Sequence, residues 1–572
     1  MSHEQGGNNQ VQPVVLCLGF HRVLSSGVAN WLHHAGLNMG QYLMPPAVSN
    51  PEGHYEDMAF VDLHERLLQM NGTQWRFHDE LPFEAACRLD LLARYVQRRD
   101  AIVGGPWGAK DPRVCLFADA WCRVLGERGR YLVLLRHWSG SVQSLYQRHS
   151  QTVALFGGNL DEHASFWRSP EQAARMWLAY YRSVLPVLER HRAQCLVVTQ
   201  QAVLAGLPLI EQVNARFGLA LDVGTPSPIR PTLSHDRVEE GVRVRLPAEL
   251  VDELEGLWQQ LLAQADHRVA DESPQWVPDR DDAPMLTARL LALAAAHGAD
   301  AAPRTACPPE DDLQQALKTL AEQPERPLDV AWWQGRIRQE ARFVPECWEW
   351  LARAQLNRGD ALGAEVHLAQ VLVCGKSAAY LFLLLGQCRE AELDDEGAVH
   401  FYRLAIARND ANAVFHVRLC RVWLVQGRYD AAEQHLRAAL QRHPDTPALL
   451  HALANCLDQQ GRTDEAIALL AAQSAPSSQL VRQLASLRMK QDPEQAQMLQ
   501  RSITLESAGK LETQQTVVKA LASVEDLAAR RDLARRVASV WQRLGVESTI
   551  PEGAPTASKH TERKCLNNET DL

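Results

Sequence analysis

One alanine position recurs every 34 residues in the second half of the chain, and this period restricts the fold more than any other feature. The position is occupied by Ala364, Ala398, Ala432 and Ala466. Two further positions share this 34-residue spacing. One is occupied by Gly359, Leu393, Gly427 and Gly461, and the other by Leu385, Leu419 and Leu453. A unit of this length holds two helices joined by a tight turn, and a small residue lets them approach closely. The period therefore predicts a stack of helical hairpins.

The clearest copy of the unit reads RLCRVWLVQGRYDAAEQHLRAALQRHPD, residues 418–445. It resembles the tetratricopeptide repeat, in which a proline such as Pro444 starts the next unit. The resemblance predicts an all-α solenoid over residues 313–545, with degenerate helices flanking four registered units. Stacked repeats form a concave surface for peptides or partner proteins. A helical spacer without a ligand is the alternative interpretation of the same pattern.

The first third of the chain has a different pattern, in which short apolar runs alternate with amphipathic segments. Buried strands are predicted at residues 14–20, 131–136 and 195–199, because these runs are apolar throughout rather than alternating. Helical stretches lie between them at residues 112–125, 139–149 and 170–191. This order predicts an α/β domain with a parallel sheet and helices on both of its faces. Ligands in such folds bind at the carboxyl ends of the strands.

Composition shifts divide the chain into five predicted segments. Residues 1–12 are polar and are predicted to be disordered, as is the tail over residues 546–572. The α/β domain is expected over residues 13–270 and the helical repeats over 313–545. Residues 271–312 are rich in Pro, Asp and Ala and are predicted to be a linker around one short helix. No strand is expected after about residue 270.

Overall composition narrows the class of protein. The net charge of −10 argues against a general nucleic-acid-binding protein. No apolar run approaches the roughly 20 residues that a membrane-spanning helix needs. The 12 cysteines form no CxxC pair and no Cys/His cluster, which favours free thiols over disulfides or a metal site. We therefore expect a cytoplasmic protein without a membrane span, a bound metal or a nucleic-acid partner.

Four motifs in the first third follow one another in a fixed order. They are GFHRVLSSGVANWLHHAGLNMG from Gly19, SNPEGHYEDMAFVDLHERLL from Ser49, GPWGAKDPRVCLF from Gly105 and YLVLLRHWSGSVQSLYQRH from Tyr131. Together they resemble a bacterial sulfotransferase family, whose signatures look like GxHRSGTS, NPEGxxE, KDPR and a strand-ending Arg with a Ser eight residues on. The resemblance implies a P-loop-like fold and the donor 3′-phosphoadenosine 5′-phosphosulfate. The implied acceptor is a hydroxyl of a glycan, lipid or peptide.

The resemblance also implies which residues hold the donor. Arg136 and Ser144 match the pair that binds the 3′-phosphate, and an Arg fork beside a hydroxyl suits a dianion. Arg22 is expected to pair with the 5′-phosphosulfate. The remaining donor-loop residues are implied to be His21, Ser25, Ser26 and Gly27. The hydroxyls of Ser25 and Ser26 are placed at a helix N-terminus, where an anion is favoured.

Transfer of a sulfuryl group requires neutralised charge on the leaving oxygen and a base for the acceptor hydroxyl. Lys110 matches the family lysine and is expected to act with Arg22 as the cation at the leaving group. Glu52 is the candidate general base, with Glu56 as its rival and His54 as a more distant one. Two structural alternatives remain open. Lys110 and Asp111 could form an ion pair, and Glu52 and Glu56 could cap a helix that starts near residue 57.

The first motif departs from the family at Val23 and Leu24, which stand where the family has Ser-Gly. A leucine is expected to resist the positive φ that the glycine provides there. Gly27 partly restores a turn but falls where the helix should start. A sulfotransferase-fold scaffold with weakened catalysis is therefore the alternative function. A P-loop kinase is disfavoured because the chain lacks GK[ST] at this loop.

Overall fold

The computed structural model describes residues 12–44, 53–84, 86–155, 160–229, 237–300, 312–376, 378–474, 476–488, 496, 498 and 510–546. The segments predicted to be disordered lie almost wholly outside these residues. Glu52, the candidate general base, also lies outside them.

A parallel sheet of four strands forms the core of the N-terminal region. Its strands are β1 (Val14–Leu18), β2 (Trp107–Lys110), β3 (Gly129–Leu135) and β4 (Cys195–Thr199). Their order across the sheet is β2-β1-β3-β4, and every pair is parallel. Consecutive residues of each strand are buried, so both faces of the sheet are covered. The predicted parallel sheet is confirmed, while its assignment to the sulfotransferase fold stays a prediction.

Helices connect and follow these strands. They are α1 (Ser25–His34), α2 (Met58–Met70), α3 (Leu89–Val103), α4 (Ala118–Leu125), α5 (Trp138–Leu155), α6 (Leu160–Arg168), α7 (Gln172–Arg190), α8 (Gln200–Leu204) and α9 (Leu209–Phe217). The helix predicted over residues 112–125 begins as a 3₁₀ turn, Pro112–Phe117, before α4. Sequence reasoning missed β2, because its four residues WGAK are short and end in a lysine.

A second, smaller sheet follows the first. Its strands are β5 (Arg237–Glu239) and β6 (Gln275–Val277), which pair in parallel. The helices α10 (Gly241–Val244) and α11 (Ala248–Ala263) lie between them in the chain. The expectation that no strand follows residue 270 is therefore wrong, because Trp276 and its neighbours pair with β5. The predicted linker also contains a helix of 17 residues, α12 (Pro284–Asp300).

Helical hairpins make up the following part of the chain, as the period predicts. They are α13 (Leu313–Glu322), α14 (Val330–Glu340), α15 (Pro345–Leu356), α16 (Ala361–Val373), α17 (Ala379–Ala391), α18 (Asp395–Arg408), α19 (Ala413–Val425), α20 (Tyr429–Arg442), α21 (Pro447–Gln459), α22 (Thr463–Ala471) and α23 (Ser478–Arg488). The repeated alanine is the fourth residue of α16, α18, α20 and α22, and each copy is 0% exposed. A larger side chain at this position would separate the packed helices.

Each of the four registered hairpins has a residue with positive φ in its turn. In three units this residue is Gly359, Gly427 or Gly461, with φ of 80°, 71° and 74°. In the fourth unit it is Leu393, with φ of 57°. The leucine that interrupts the glycine register therefore keeps the backbone conformation of that register.

Residues 1–145, 171–279 and 307–500 form one compact unit, which includes both the four-stranded sheet and the repeat hairpins. The repeat hairpins contact residues of the N-terminal region. A Cβ built on Gly359 would lie 2.9 Å from the carbonyl oxygen of Arg66 in α2. Arg88 Nη2 lies 3.0 Å from Glu392 Oε2, and Gln459 Oε1 accepts a hydrogen bond from the Leu43 amide.

The second compact unit consists of residues 146–170, 280–306 and 501–572. Its described part holds the end of α5, α6, α12 and two further helices, Leu511–Ala522 and Leu527–Leu544. Buried polar contacts fix these helices. Trp167 Nε1 donates to Asp532 Oδ2 at 2.9 Å, and Trp541 Nε1 donates to the Ala154 carbonyl at 2.9 Å.

Within the described ranges, no helix has both the length and the apolar character needed to cross a bilayer.

Candidate functional site at the strand ends

The loop after β1 lies where the topology of the sheet favours a ligand. The chain moves from β1 to β2 on one side and then to β3 on the other, so the order reverses between β1 and β3. Ligands of open parallel sheets bind beyond the carboxyl ends of the strands at this reversal. Arg22 follows β1 and Arg136 follows β3, so both predicted donor-binding arginines are placed there.

Two residues of this loop adopt left-handed backbone conformations. Arg22 has φ of 69° and Leu24 has φ of 70°. Leu24 therefore adopts the positive φ that a leucine is expected to resist. A residue other than glycine in this region costs on the order of 1–3 kcal/mol and persists only where its surroundings impose it. The surrounding structure thus holds the turn in which the family has a glycine.

Leu24 is also the N-cap residue of α1, and its side chain makes no capping hydrogen bond. The first turn of α1 has no acidic residue. Ser25, Ser26 and Gly27 are the first three residues of this helix. Their backbone N–H groups and the positive end of the helix dipole are suited to an anion. Gly27 is enclosed, since a Cβ there would lie 3.1 Å from Ile229 Cγ1.

Lys110, the last residue of β2, forms a buried ion pair with Glu56. Its Nζ also donates to Ser26 Oγ at 3.2 Å. The side chain of Lys110 is 3% exposed and that of Glu56 is 9% exposed, so water does little to screen the pair. The structure thus places Lys110, the predicted leaving-group cation, against the loop predicted to hold the donor, with the rival base Glu56 as its partner.

Arg22 and Ser144 lie in direct contact. Arg22 Nε donates to Ser144 Oγ at 2.9 Å. Arg136 Nη1 donates to the backbone carbonyl of Arg22 at 2.8 Å. The Arg22 side chain thus contacts Ser144, and the Arg136 side chain contacts the Arg22 backbone; Arg136 and Ser144 are the residues implied to hold the 3′-phosphate. The implied pairing of Arg22 with the 5′-phosphosulfate receives no support from this arrangement.

Gly140 is a site residue that sequence reasoning missed. A Cβ on this glycine, in the first turn of α5, would lie 2.8 Å from Arg136 Nε and 3.2 Å from its Cζ. The guanidinium therefore lies directly on the backbone of the helix, where an alanine would displace it. The motif HWSGSV, residues 137–142, contains the only available signal, a glycine just inside a helix start.

His21 is placed at the edge of the loop beside aromatic side chains. Its Nε2 lies 3.4 Å from Tyr180 Oη, and its ring centroid lies 5.1 Å from that of Trp75. Tyr180 Oη in turn donates to the Trp75 carbonyl at 2.6 Å. His21 therefore packs against aromatic side chains, and this packing accounts for its position without a bound ligand.

Asp111 does not pair with Lys110, so that structural alternative is wrong. Asp111 Oδ2 lies 3.0 Å from His64 Nδ1, and its Oδ1 accepts from the Arg113 guanidinium at 3.0 Å. Burial opposes ionisation of this carboxyl, but Arg113 and the hydrogen bond with His64 hold its pKa well below the usual range. Trp121 Nε1 donates to His64 Nε2 at 3.0 Å and completes the buried cluster.

The helix-cap alternative is also wrong for Glu56. Asp57 is the N-cap residue of α2, and its side chain accepts from the Ala59 amide at 3.0 Å. Glu56 instead points to Lys110. His54 is half-buried, and Glu52 lies outside the described residues, so the structure does not choose between Glu52 and Glu56 as the base.

Residues 424–488 match the tetratricopeptide repeat family, described as "Tetratricopeptide repeat". No curated protein matches the chain. Among solved structures, the chain is similar to a thermophilic TPR protein of Thermus thermophilus (22% identity, covering 34% of this chain and 99% of that one, TM-score 0.24). It is also similar to a chain of the APC/C hetero-tetramer Cut9–Hcn1 (11% identity, 80% and 97% coverage, TM-score 0.26). Yeast Tom70 is a third such structure (11% identity, 80% and 96% coverage, TM-score 0.24). The matched segment spans the end of α19 through α23, and repeats of this family are typical of protein-binding scaffolds.

Proposed function

We propose that the sheet region is a sulfotransferase that uses 3′-phosphoadenosine 5′-phosphosulfate, and that the helical repeats bind an acceptor-bearing or partner protein. The observation that supports the donor site is the convergence of Arg22, Arg136 and Ser144 at the reversal of strand order. The Lys110–Glu56 pair and the start of α1 adjoin them through Ser26.

The residues at the strand ends fit the two charged ends of this donor. The donor supplies a sulfuryl group attached to a phosphate, and a second phosphate at the 3′ position. Two guanidinium groups and the Ser144 hydroxyl suit the 3′-phosphate dianion. The N–H groups at the start of α1 and the Lys110 ammonium suit the 5′ end.

Glu56 has a positioning role in this proposal. Its carboxylate holds Lys110 Nζ beside Ser26, which keeps the cation where negative charge develops on the leaving oxygen. The Glu56 carboxylate is already engaged by the Lys110 ammonium in a buried ion pair. Glu52 therefore remains the proposed general base, and we propose Glu56 as the residue that orients Lys110.

A second candidate function, a binding scaffold without sulfuryl transfer, is favoured by Leu24. Its side chain occupies the place of a glycine at the loop, next to Gly27. A side chain there limits how closely a phosphate can approach the backbone. The two candidates differ in whether the donor product binds.

Calorimetric titration of the full chain with 3′-phosphoadenosine 5′-phosphate, the donor product, tests the proposal. Removing the charged contact in Arg136→Ala should weaken binding roughly 10- to 150-fold, corresponding to roughly 1.5–3 kcal/mol. Arg130→Ala is the matched control, because Arg130 lies near the opposite end of β3 and bonds the Glu127 carbonyl. Adenosine 5′-phosphate, which lacks the 3′-phosphate, should show little difference between wild type and Arg136→Ala. Equal affinity of Arg136→Ala and wild type for the bisphosphate would contradict the 3′-phosphate site.

The roles of the two glutamates are tested by transfer from radiolabelled donor to a panel of glycan, lipid and peptide acceptors. Glu52→Gln should abolish transfer and leave bisphosphate binding nearly unchanged, since the base acts on the acceptor. Glu56→Gln should weaken donor binding as well, because it releases Lys110. Normal transfer by Glu52→Gln together with its loss in Glu56→Gln would assign the base to Glu56. A wild type that binds no bisphosphate would favour the scaffold.

A further inference from the structure

A cavity of ≈ 360 Å³ lies between α2 and the first helices of the repeat hairpins, away from the strand-end site. Its walls include Asp62 and Arg66 of α2, Arg98 of α3, and Glu390, Arg418 and Arg421 of α17 and α19. The volume falls within the range of small-molecule pockets in proteins. The wall is unusual because eight of its 18 lining residues are charged, whereas ligand pockets are mostly apolar.

The carboxylates of this wall already have cationic partners. Asp62 pairs with Arg421, and Asp395 Oδ1 lies 3.1 Å from Arg98 Nη1. Glu65 Oε1 lies 3.0 Å from Arg113 Nη2. Glu390 Oε2 accepts from the Tyr402 hydroxyl at 2.6 Å, and its Oε1 lies 3.6 Å from Arg421 Nε.

In contrast to these carboxylates, the Arg66 guanidinium is not fully hydrogen-bonded. The residue is 9% exposed, and its Nη1 is buried without a hydrogen-bond partner among the described residues. Burial lowers its pKa to about 10, and the charges of Glu392, Asp62 and Glu390 offset the shift only in part. A buried guanidinium with an N–H group that makes no hydrogen bond is strongly unfavourable unless an acceptor reaches it.

The other buried atoms of the wall that lack a hydrogen-bond partner within the described structure are also N–H donors of arginines. Among the described lining residues, the buried side-chain atoms without a hydrogen-bond partner are Arg66 Nη1, Arg98 Nε, Arg98 Nη2 and Arg421 Nε. All of them are donors on arginines. A ligand that completes this wall must therefore supply acceptor oxygens, and arginine forks match oxyanions geometrically.

We propose that this cavity binds an oxyanion, phosphate or sulfate, either as the free ion or as an ester on a small molecule, with Arg66 as its principal contact. The ligand bridges α2 and the repeats, because the unmatched donors come from Arg66 and Arg98 on one side and Arg421 on the other. Occupancy therefore strengthens the contact between the sheet region and the repeats.

Equilibrium dialysis of the full chain with radiolabelled inorganic phosphate, in chloride buffer of constant ionic strength, tests this site. A constant ionic strength avoids general stabilisation of the fold by sulfate or phosphate salts. Arg66→Met should reduce affinity about tenfold or more, the loss expected for a charged hydrogen bond. Arg66→Lys, which keeps the charge but not the fork, should reduce affinity less and serves if the methionine variant does not fold. Arg123→Met is the charge-matched control, because Arg123 is 68% exposed on α4.

Arg22→Met separates this site from the strand-end site and should leave phosphate binding at the cavity unchanged. Competition by inorganic sulfate, a sugar phosphate and a sugar sulfate distinguishes a free ion from an ester. Tighter binding of an ester than of either ion identifies the larger ligand, and tighter binding of the ions identifies a simple anion site. Failure of wild type to bind any of these probes would overturn the proposal. So would unchanged phosphate affinity in both Arg66→Met and Arg66→Lys.

Discussion

Two leucines adopt the same left-handed conformation in two very different turns of the molecule. Leu24 precedes α1 at the edge of the parallel sheet with φ of 70°, and Leu393 joins α17 to α18 with φ of 57°. In the repeats, Gly359, Gly427 and Gly461 occupy the position of Leu393 and share its positive φ. The period therefore reveals the conformation that this position requires. The loop after β1 is not part of a repeat. For this loop, only the resemblance to the sulfotransferase family, which has a glycine at the position of Leu24, indicates a need for positive φ.

The comparison shows that tertiary contacts, as well as glycine, can impose a turn. Leu393 lies between two helices whose ends the packed stack fixes. Leu24 lies between a buried strand and a helix that are both held in the sheet region. In each case the cost of the conformation is on the order of 1–3 kcal/mol and is offset by the surrounding fold.

The largest expected effect comes from the close-packed alanine of the repeats. Ala432→Trp should unfold the stack, because overpacking a 0%-exposed position costs on the order of 1–3 kcal/mol or more. Since Arg98 and Arg421 join α3 and α2 to the repeats, we expect helicity and bisphosphate binding to be lost in one transition. Circular dichroism and calorimetry measure the two losses. The control is Gln434→Trp, at an exposed position of the same helix.

The Ala432→Trp protein could instead lose its repeat helicity and keep full affinity for the bisphosphate. That result would contradict the coupling between the repeats and the sheet region. The sheet region would then be an independent folding unit.

An intermediate effect is expected at the two leucines themselves. At both positions the glycine variant should have a free energy of unfolding about 1 kcal/mol higher than the alanine variant. The reason is that alanine retains the cost of positive φ and glycine does not. At Leu372, which lies in α16 and is 41% exposed, the order should reverse by roughly 0.5–1 kcal/mol. Urea unfolding of the paired variants measures these differences. Alanine equal to or better than glycine at Leu24 would show that the loop does not require positive φ.

Only one of the two leucines should influence donor binding. Leu24→Gly removes a side chain beside the donor loop and should tighten bisphosphate binding by recovering backbone N–H contacts, each worth roughly 0.5–3 kcal/mol. Leu393→Gly should leave that affinity unchanged. Calorimetric titration of both variants measures the contrast, and an equal effect of the two substitutions would remove the special role of Leu24.

A pH dependence confined to the repeats is also expected. Burial and the neighbouring His416 lower the pKa of His435 to about 4, while an unfolded histidine titrates near 6.5. The unfolded state then binds more protons between these values, so stability falls as pH decreases from about 6.5 to about 4. Asp410 faces His416 and His443, and Arg442 and Arg403 also lie near the pair. His435→Gln should reduce this part of the acid sensitivity, and an unchanged pH profile of unfolding would contradict it.

The two regions differ in how much of their structure could be predicted. The repeats were predictable because four copies report the same local constraint, which gave the buried alanines and the turn positions. The buried strands β1, β3 and β4 were predictable from continuous apolar runs, but β2 was too short and too polar. Contacts between residues far apart in sequence could not be predicted. Lys110 pairs with Glu56 across 54 positions, and Arg22 with Ser144 across 122, and no local pattern encodes either distance.

We propose that the strand-end site, rather than another basic site in the protein, holds the sulfuryl donor. A crystal structure of the full chain grown with 3′-phosphoadenosine 5′-phosphate tests it most directly. We predict the 5′-phosphate against the start of α1 and Lys110, and the 3′-phosphate against Arg136, Ser144 and Arg22. Bisphosphate bound only in the cavity beside Arg66, with the strand ends unchanged, would contradict the claim.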